Sequence, residues 1–368
     1  MFCAWSASAN EPKAIEHTIV YKQDGHFAGW PANNGIWIWG DEIVVGFKQT
    51  GFKFTDPNEH ATDPDAPSVV RFGRSLDGGR TWTSERAPFM DAKGVEKAPV
   101  KQTKPVDFSH PDFAMRIRQN YEAPGNPRIY YSFDRCKTWE GPYAMPKYDQ
   151  VSIKARTDYI VEGKNDAFAF ITANLPTENP RRHREGRVFV THSKDGGMNW
   201  DWVSWVGPEP TGFTIMPASV RAADGALVSA LRRKEGDTCW IDVYRSTDDG
   251  KTWTMASEFA AATGKNYGNP PTLTALRDGR LAMAYGYRSE PYGMRAKISG
   301  DHGQTWGKEI ILRDDAGCWD LGYPRTVQRA DGKLVTIYYY NDGLEKERYI
   351  AATIWDPGAA GAGGYGGK

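Results

Sequence analysis

Hydrophobic and polar positions along the chain fall into short, strand-length runs broken at Asp-Gly pairs. From Pro217 to Arg232 one apolar-rich run leads into Asp224-Gly225 and a second leads out. Asp-Gly between two such runs signals a tight hairpin, because the favoured turn needs φ above zero at its central positions. The unit recurs from Pro271 to Tyr285 around Asp278-Gly279, and from Pro324 to Tyr338 around Asp331-Gly332. Less regular versions begin at Trp30, at His110 and at Arg156, which makes six strand-pair units.

A second repeat is interleaved with the first. Five segments read Ser-x-Asp-x-Gly-x-Thr-Trp or a near copy: Ser75 to Trp82, Ser132 to Trp139, Ser193 to Trp200, Ser246 to Trp253 and Ser299 to Trp306. Such a segment makes a hairpin turn. Asp and Ser bond the turn backbone, Gly takes positive φ, and Trp covers the turn from the adjoining strand. Cys136 stands in the glycine slot of the second copy. This is the Asp-box pattern, and the chain resembles the sialidase-like (neuraminidase superfamily) β-propellers with Asp-box or BNR repeats.

Six strand pairs and five boxes spaced 53 to 61 residues apart predict an all-β fold. The expected form is a six-bladed β-propeller of four-stranded antiparallel blades, the last closed by the segment around His17 to Lys22. Residues 1–356 are expected as a single propeller domain and 357–368 as a flexible Gly-rich tail. Residues 83 to 105, rich in Pro, Lys and Glu, read as loop.

Composition narrows the partners. The 368 residues hold 46 Lys and Arg against 46 Asp and Glu, so no net charge draws the chain to nucleic acid or an anionic membrane. No apolar run is long enough to cross a bilayer. Cys3, Cys136, Cys239 and Cys318 lie far apart without ligand spacing. His183 and His192 near Asp195 lack it too, so no metal and no other cofactor is expected. The N-terminal stretch shows no basic region followed by an apolar core, so it is not a readable signal peptide. A secreted or periplasmic site stays open if a leader has been removed. The basic run from Pro180 to Glu185 is expected as a solvated loop.

Topology points to one face. In a four-stranded blade the start of the first strand and the end of the second share a face, opposite the Asp boxes. Those positions set Trp30, His110, Asp112, Arg156, Asp158, Tyr323 and Arg325 beside Lys48, Arg232, Arg233, Arg288 and Tyr340 around one axis. Arginine forks bond two oxygens of a carboxylate or sulfate at once. An anionic glycan or small anionic sugar is therefore the expected ligand.

The resemblance implies further roles. Sialidases of this fold clamp the substrate carboxylate with three arginines and use a Tyr nucleophile assisted by Glu, with an Asp acid. Tyr323 matches the tyrosine, Arg232 or Arg233 one arginine, and Arg288, or less well Arg295, another. Asp63 or Asp65 matches the acid. Gly29-Trp30-Pro31 stands where the family carries its first arginine, and no glutamate lies in the strand start from Thr214 to Ala218. The expected activity is exo-acting hydrolysis of a glycoside of an anionic sugar. Asp112, Asp158 or Asp65 would be the acid, and Tyr323 the nucleophile or cation stabiliser. A polysaccharide lyase on uronate, with His110 or Tyr323 as base, is the alternative, and a non-catalytic glycan-binding propeller is a third.

Overall fold

The computed structural model describes residues 14–89, 96–119, 127–174 and 185–358. Within them the chain is all β in a propeller arrangement, apart from a short 3-10 turn at Pro31–Asn33. Phe213–Arg221, Leu227–Glu235, Thr238–Ser246 and Thr254–Ala262 form one four-stranded antiparallel meander. Pro271–Ala275, Leu281–Tyr287, Gly293–Ser299 and Ile310–Arg313 form a second. A five-stranded sheet has Asp166–Asn174 paired with both Ile153–Lys154 and Tyr159–Gly163, then Glu185–Ser193 and Asp201–Trp205. Ala114–Gln119, Pro127–Ser132 and Glu140–Ala144 make a three-stranded sheet.

The remaining strands share one nine-stranded sheet at the meeting of the two chain ends. Gly322–Gln328, Leu334–Asn341 and Arg348–Trp355 pair in order, and Ala14–Tyr21 joins the last of them with His17 opposite Thr353. On the other side His26–Gly29 pairs with Glu42–Gly51, which carries Ile36–Trp39 and leads to Val69–Ser75 and Thr83–Arg86. A single parallel pair, Phe27 with Arg348, joins the two halves. Six separate four-stranded blades are therefore not what forms: four sheets stand alone as blades, and that bridge merges the rest. The three-stranded sheet falls short because the described residues before Ala114 contribute to it only an isolated bridge, Val100 with Tyr143.

The boxed turns are built alike. The Ser246 hydroxyl accepts the Gly250 amide at 2.8 Å and donates to Asp248 at 2.7 Å. Asp248 accepts the Thr252 amide and hydroxyl at 2.9 and 2.7 Å. The first, second and fifth copies repeat these bonds around Ser75, Ser132 and Ser299; in the third, Asn199 takes the place of the threonine. Cys136 takes the glycine position with φ 65°. Two turns also join neighbouring sheets, the hydroxyls of Ser204 and Ser257 donating to the turn carbonyls of Gly250 and Gly303, and Thr18 makes the same bond to Gly79 between the two halves of the nine-stranded sheet. Between the two halves of the nine-stranded sheet lie side chains such as Val45, Phe47, Ile337 and Ile354, each at most 1% exposed. Burying each contributes about 1.5–3 kcal/mol.

Two innermost strands carry the irregularity that shapes the site. Register slips between Ile215 and Ala218 and between Gly322 and Arg325, at Met216-Pro217 and Tyr323-Pro324. Proline supplies no ladder donor, and a bulge re-aims the residue it contains. Met216 and Tyr323 accordingly sit at φ 54° and 50°. The amide of each is taken by a side chain of the preceding sheet: Thr172 Oγ1 for Met216 at 3.2 Å, Asn269 Oδ1 for Tyr323 at 2.8 Å. Gly322 beside them admits no side chain, since a Cβ there would lie 2.4 Å from the Asn269 amide group.

Candidate functional site

The bulge at Tyr323 delivers its ring to a cavity of about 1080 Å³ lined from several sheets. Arg156, Phe213, Arg232, Tyr267, Arg288, Trp319 and Tyr323 line it, with Glu59 and His60 of the loop that follows Glu42–Gly51. Arg232 donates from Nη1 to the Tyr323 phenol oxygen at 3.0 Å. Its Nε and Nη2 are held by the Tyr267 carbonyl at 2.9 and 2.6 Å. Arg288 donates to the carbonyls of Leu321 and Asn266 and, at 2.8 Å, to the Tyr339 hydroxyl. The two guanidinium carbons stand 5.7 and 5.6 Å from the centre of the Tyr323 ring. These arginines are 5% and 2% exposed, so the backbone carbonyls hold two cations in place beside one phenol.

Behind Tyr339 lies Asp320, 0% exposed. Its Oδ1 accepts the Tyr339 hydroxyl at 2.7 Å and pairs with His60 Nδ1 at 2.6 Å, while Oδ2 takes Arg348 Nε at 3.0 Å. Burial alone would push this carboxyl up; the charges of His60, Arg348 and Arg288 outweigh burial and hold it well below the usual carboxylate range. Burial pushes the Tyr339 hydroxyl well up, against the opposing pull of Arg288. His60 packs edge-on to Trp30 at 5.3 Å and beside Trp319 at 5.4 Å. Trp319 in turn donates to the Pro57 carbonyl at 2.7 Å, which ties the loop to the segment that carries Asp320.

Asp158 occupies the axis below. It accepts the Ser219 amide at 3.2 Å, and its other oxygen is buried without a hydrogen-bond partner among the described residues. Burial raises its carboxyl to about 7, against a downward pull from Arg325. Arg325 reaches across the innermost strands to the carbonyls of Ala32 and Thr157. Arg156 donates to Asn33 Oδ1 at 2.8 Å.

Of the residues singled out from sequence, Tyr323, Arg232, Arg288 and Arg156 meet in the cavity, and Trp30 braces its loop through His60. Lys48 stands 5.4 Å over the Trp30 ring, with its ammonium pushed down by burial and by Arg118. Asp158 and Arg325 sit at the axis, outside the lining. The others fall elsewhere. His110 and Asp112 precede Ala114, which pairs with Ser132 at the start of a boxed turn; Asp112 pairs there with Arg135 at 2.6 Å. Strand Ala114–Gln119 thus enters from the boxed-turn face, so these two lie at the opposite end from the cavity. Arg233 alternates away from Arg232 and pairs with Asp242 at 3.3 Å. Tyr340 alternates away from Tyr339 and bonds Asp315 at 3.0 Å. The Asp65 side chain is 86% exposed and meets only Lys53, at 4.0 Å, among acid–base partners. Arg295 bonds the carbonyls of Arg313 and Pro291.

His60 and Asp320 were not singled out from sequence. Neither belongs to a repeat, and only the docking of one loop on another brings them together over 260 positions. His192 pairs with Asp166 at 2.6 Å rather than standing with Asp195. Among the described residues no group of three or more His, Cys, Asp or Glu is placed to hold a metal ion. Cys136, Cys239 and Cys318 are buried free thiols, whereas Cys3, His183 and most of the basic run lie outside the described residues. No helix of the described residues is long and apolar enough to cross a membrane.

A family model for the BNR repeat-like domain matches residues 130–336. A protein of Bacteroides fragilis named sialidase is 24% identical over 309 residues, 73% of this chain and 53% of its own. The chain thus spans about half the length of that curated relative. Among solved structures, a protein described as of unknown function from Dyadobacter fermentans superposes with a TM-score of 0.71 at 22% identity, over 94% of this chain and 99% of its own. Trypanosoma rangeli sialidase in complex with sialic acid gives 0.56 at 14% identity, over 94% and 57%. Penicillium chrysogenum α-L-arabinanase complexed with arabinobiose gives 0.58 at 11%, over 94% and 99%. At these identities the structural likenesses speak to fold.

Proposed function

The chain belongs to the BNR repeat-like family as a sialidase-like β-propeller divergent from true sialidases, and on that premise we propose that it is an exo-acting glycoside hydrolase for an anionic sugar. The carrying observation is the Tyr323 phenol oxygen, held by Arg232 at 3.0 Å with Arg288 on the same ring, at the wall of a cavity large enough for a sugar. A glycosidic bond breaks through a cation-like state at the anomeric carbon. In this reading Tyr323 presents an electron-rich oxygen to that carbon, and Arg232 and Arg288 supply the positive field that draws in an anionic sugar. Tyr267 and Trp319 offer apolar faces for the ring of the sugar, the usual complement to a few placed polar groups.

Two features set the site apart from the sialidase pattern. Gly29-Trp30-Pro31 stands where the family carries its first arginine, with Gly29 at the arginine position, and the Met216 bulge stands in place of a glutamate beside the tyrosine. Arg156, Arg232 and Arg288 still line the cavity, which suits an anionic sugar such as a uronate or a sulfated sugar.

Elimination from a uronate is a second reading, favoured by one observation. His60 and Tyr323, each able to carry a proton, share the cavity with Arg156, Arg232 and Arg288, which would neutralise a carboxylate. One assay separates the readings. Purified protein is incubated with sialosides, rhamnosides and uronate oligosaccharides, and products are followed by mass and ultraviolet absorbance. Hydrolysis adds the mass of water; elimination yields an absorbing unsaturated uronate without it. Tight glycan binding with no turnover on the whole panel would sink both and leave a binding protein.

A further inference from the structure

The proton in this reaction needs a carrier, and the carboxylates nearest to hand are poorly placed. Asp65 is solvated and Asp158 lies outside the cavity lining. Glu59 lines the cavity but is exposed, with no side-chain partner among the described residues to aim it. His60, the next residue, is different in every respect. Its Nδ1 is committed to the fully buried Asp320 at 2.6 Å, and its ring is wedged against Trp30, Trp319 and Phe27. Its side chain is 34% exposed on the cavity side, and Nε2 is the ring nitrogen left for a ligand.

We propose that His60, oriented by Asp320, is the general acid and base of the site, taking the place of a carboxylic acid on this loop. The inference rests on the hydrolytic reading above. An imidazole whose Nδ1–H is fixed by a buried carboxylate presents Nε2 in one tautomer and one orientation, and the carboxylate stabilises the imidazolium. Asp320 suits that role because three donors surround it: His60, Tyr339 and Arg348. Asp320 is a positioning residue, since it touches no substrate.

The glycosidic carbon–oxygen bond breaks with its electron pair staying on the leaving oxygen, which takes the Nε2 proton of the imidazolium. The anomeric cation is stabilised by the Tyr323 oxygen and captured by water, whose oxygen forms the new bond. The proton released by that water returns to Nε2. Net, one water is consumed and His60 is regenerated.

The test uses two glycosides of the sugar that the wild-type protein releases, one with a 4-nitrophenyl and one with an alkyl leaving group. A nitrophenolate departs without a proton; an alkoxide does not. His60→Gln and His60→Asn are expected to lose about 10²–10⁴-fold on the alkyl glycoside and less than about tenfold on the nitrophenyl glycoside. Asp320→Asn should show the same split in weaker form. Equal losses on both substrates in variants that unfold at the wild-type temperature would make His60 a structural residue and overturn the proposal, as would no loss on either. Wild-type turnover reports on the hydrolytic reading independently: a wild-type protein that releases no sugar from any glycoside of the panel overturns that reading, and the role of His60 with it.

Discussion

Arg232 and Tyr323, 91 positions apart, meet through one hydrogen bond of 3.0 Å from guanidinium to phenol oxygen. Each is brought there by its own sheet, the arginine near the end of Leu227–Glu235 and the tyrosine in the bulge of Gly322–Gln328. On the proposed reading a cation and a phenol so placed give the site its chemistry, and removing the oxygen tests it most directly. Tyr323→Phe should cut kcat on the released glycoside by at least about 10²-fold with a smaller change in KM, the range for loss of a group that acts in the transition state. It should also destabilise the fold by about 1–3 kcal/mol, because the buried Arg232 donor loses its acceptor. Steady-state kinetics and urea unfolding measure the two effects separately.

Adjacent arginines should behave oppositely. Arg232 faces the cavity, whereas Arg233 is spent on Asp242, on Thr214 and on the face of Trp240. Losing a charge-assisted bond costs about 1.5–3 kcal/mol. Arg232→Lys is therefore expected to lower kcat/KM by roughly 10- to 150-fold, a range that follows from that cost. Arg233→Gln should leave kcat/KM within about twofold, since an interaction outside the site contributes little to turnover. Comparable losses in both variants would show that the strand is disturbed as a whole.

Asp158 predicts a pH effect on stability. Burial lifts its carboxyl to about 7 from an unfolded value near 3.8. Between those values the folded chain holds a proton that the unfolded chain has released. The contribution of this group is therefore intact below about pH 4 and is lost as pH rises through about 7, at no more than about 1.4 kcal/mol per pH unit. Asn carries no such proton. Thermal unfolding of Asp158→Asn against wild type should move in favour of the variant as pH rises across that window; a difference independent of pH would contradict the burial argument.

Asp320 has the opposite sign. Its folded carboxyl is held below the ordinary range, so its stabilisation is present above the unfolded value and disappears only as pH falls through the depressed one. Asp320→Asn leaves Arg348, 2% exposed, without its counter-charge. The expected cost at neutral pH is about 3–5 kcal/mol. The gap to wild type in urea midpoint should narrow only in strong acid.

The boxed turns separate buried from exposed bonds. Ser246→Ala strips the buried Gly250 amide of its acceptor and should cost about 1–3 kcal/mol. Thr252→Val removes an exposed hydroxyl bond to Asp248 and should cost under about 1 kcal/mol. Denaturant unfolding of the two variants decides whether the serine or the threonine holds the turn.

Much of the fold was legible because its signals are local. Asp224-Gly225, Asp278-Gly279 and Asp331-Gly332 each announce a hairpin from adjacent residues alone, and the boxed turns close within eight positions, as from Ser246 to Trp253. Period-two alternation also separates neighbours reliably once the register is known: Arg232 from Arg233, Tyr339 from Tyr340. The register itself was the obstacle. His110 and Asp112 look like the start of a first strand, yet Ala114 opposite Ser132 makes the strand that follows them run from the boxed-turn face.

The all-β repeat, the boxed turns and the candidacy of Tyr323, Arg232 and Arg288 are written in the chain itself, because each follows from turn chemistry and from which strand end a residue occupies. Tertiary structure alone decided the rest. The bridge from Phe27 to Arg348 merged sheets that the repeats count apart, and the docking of the loop around His60 set that imidazole on Asp320. Both are contacts between segments more than 250 residues apart outside the repeat. No local pattern encodes such a pairing; it exists only once the propeller has closed and brought the two ends of the chain to one place.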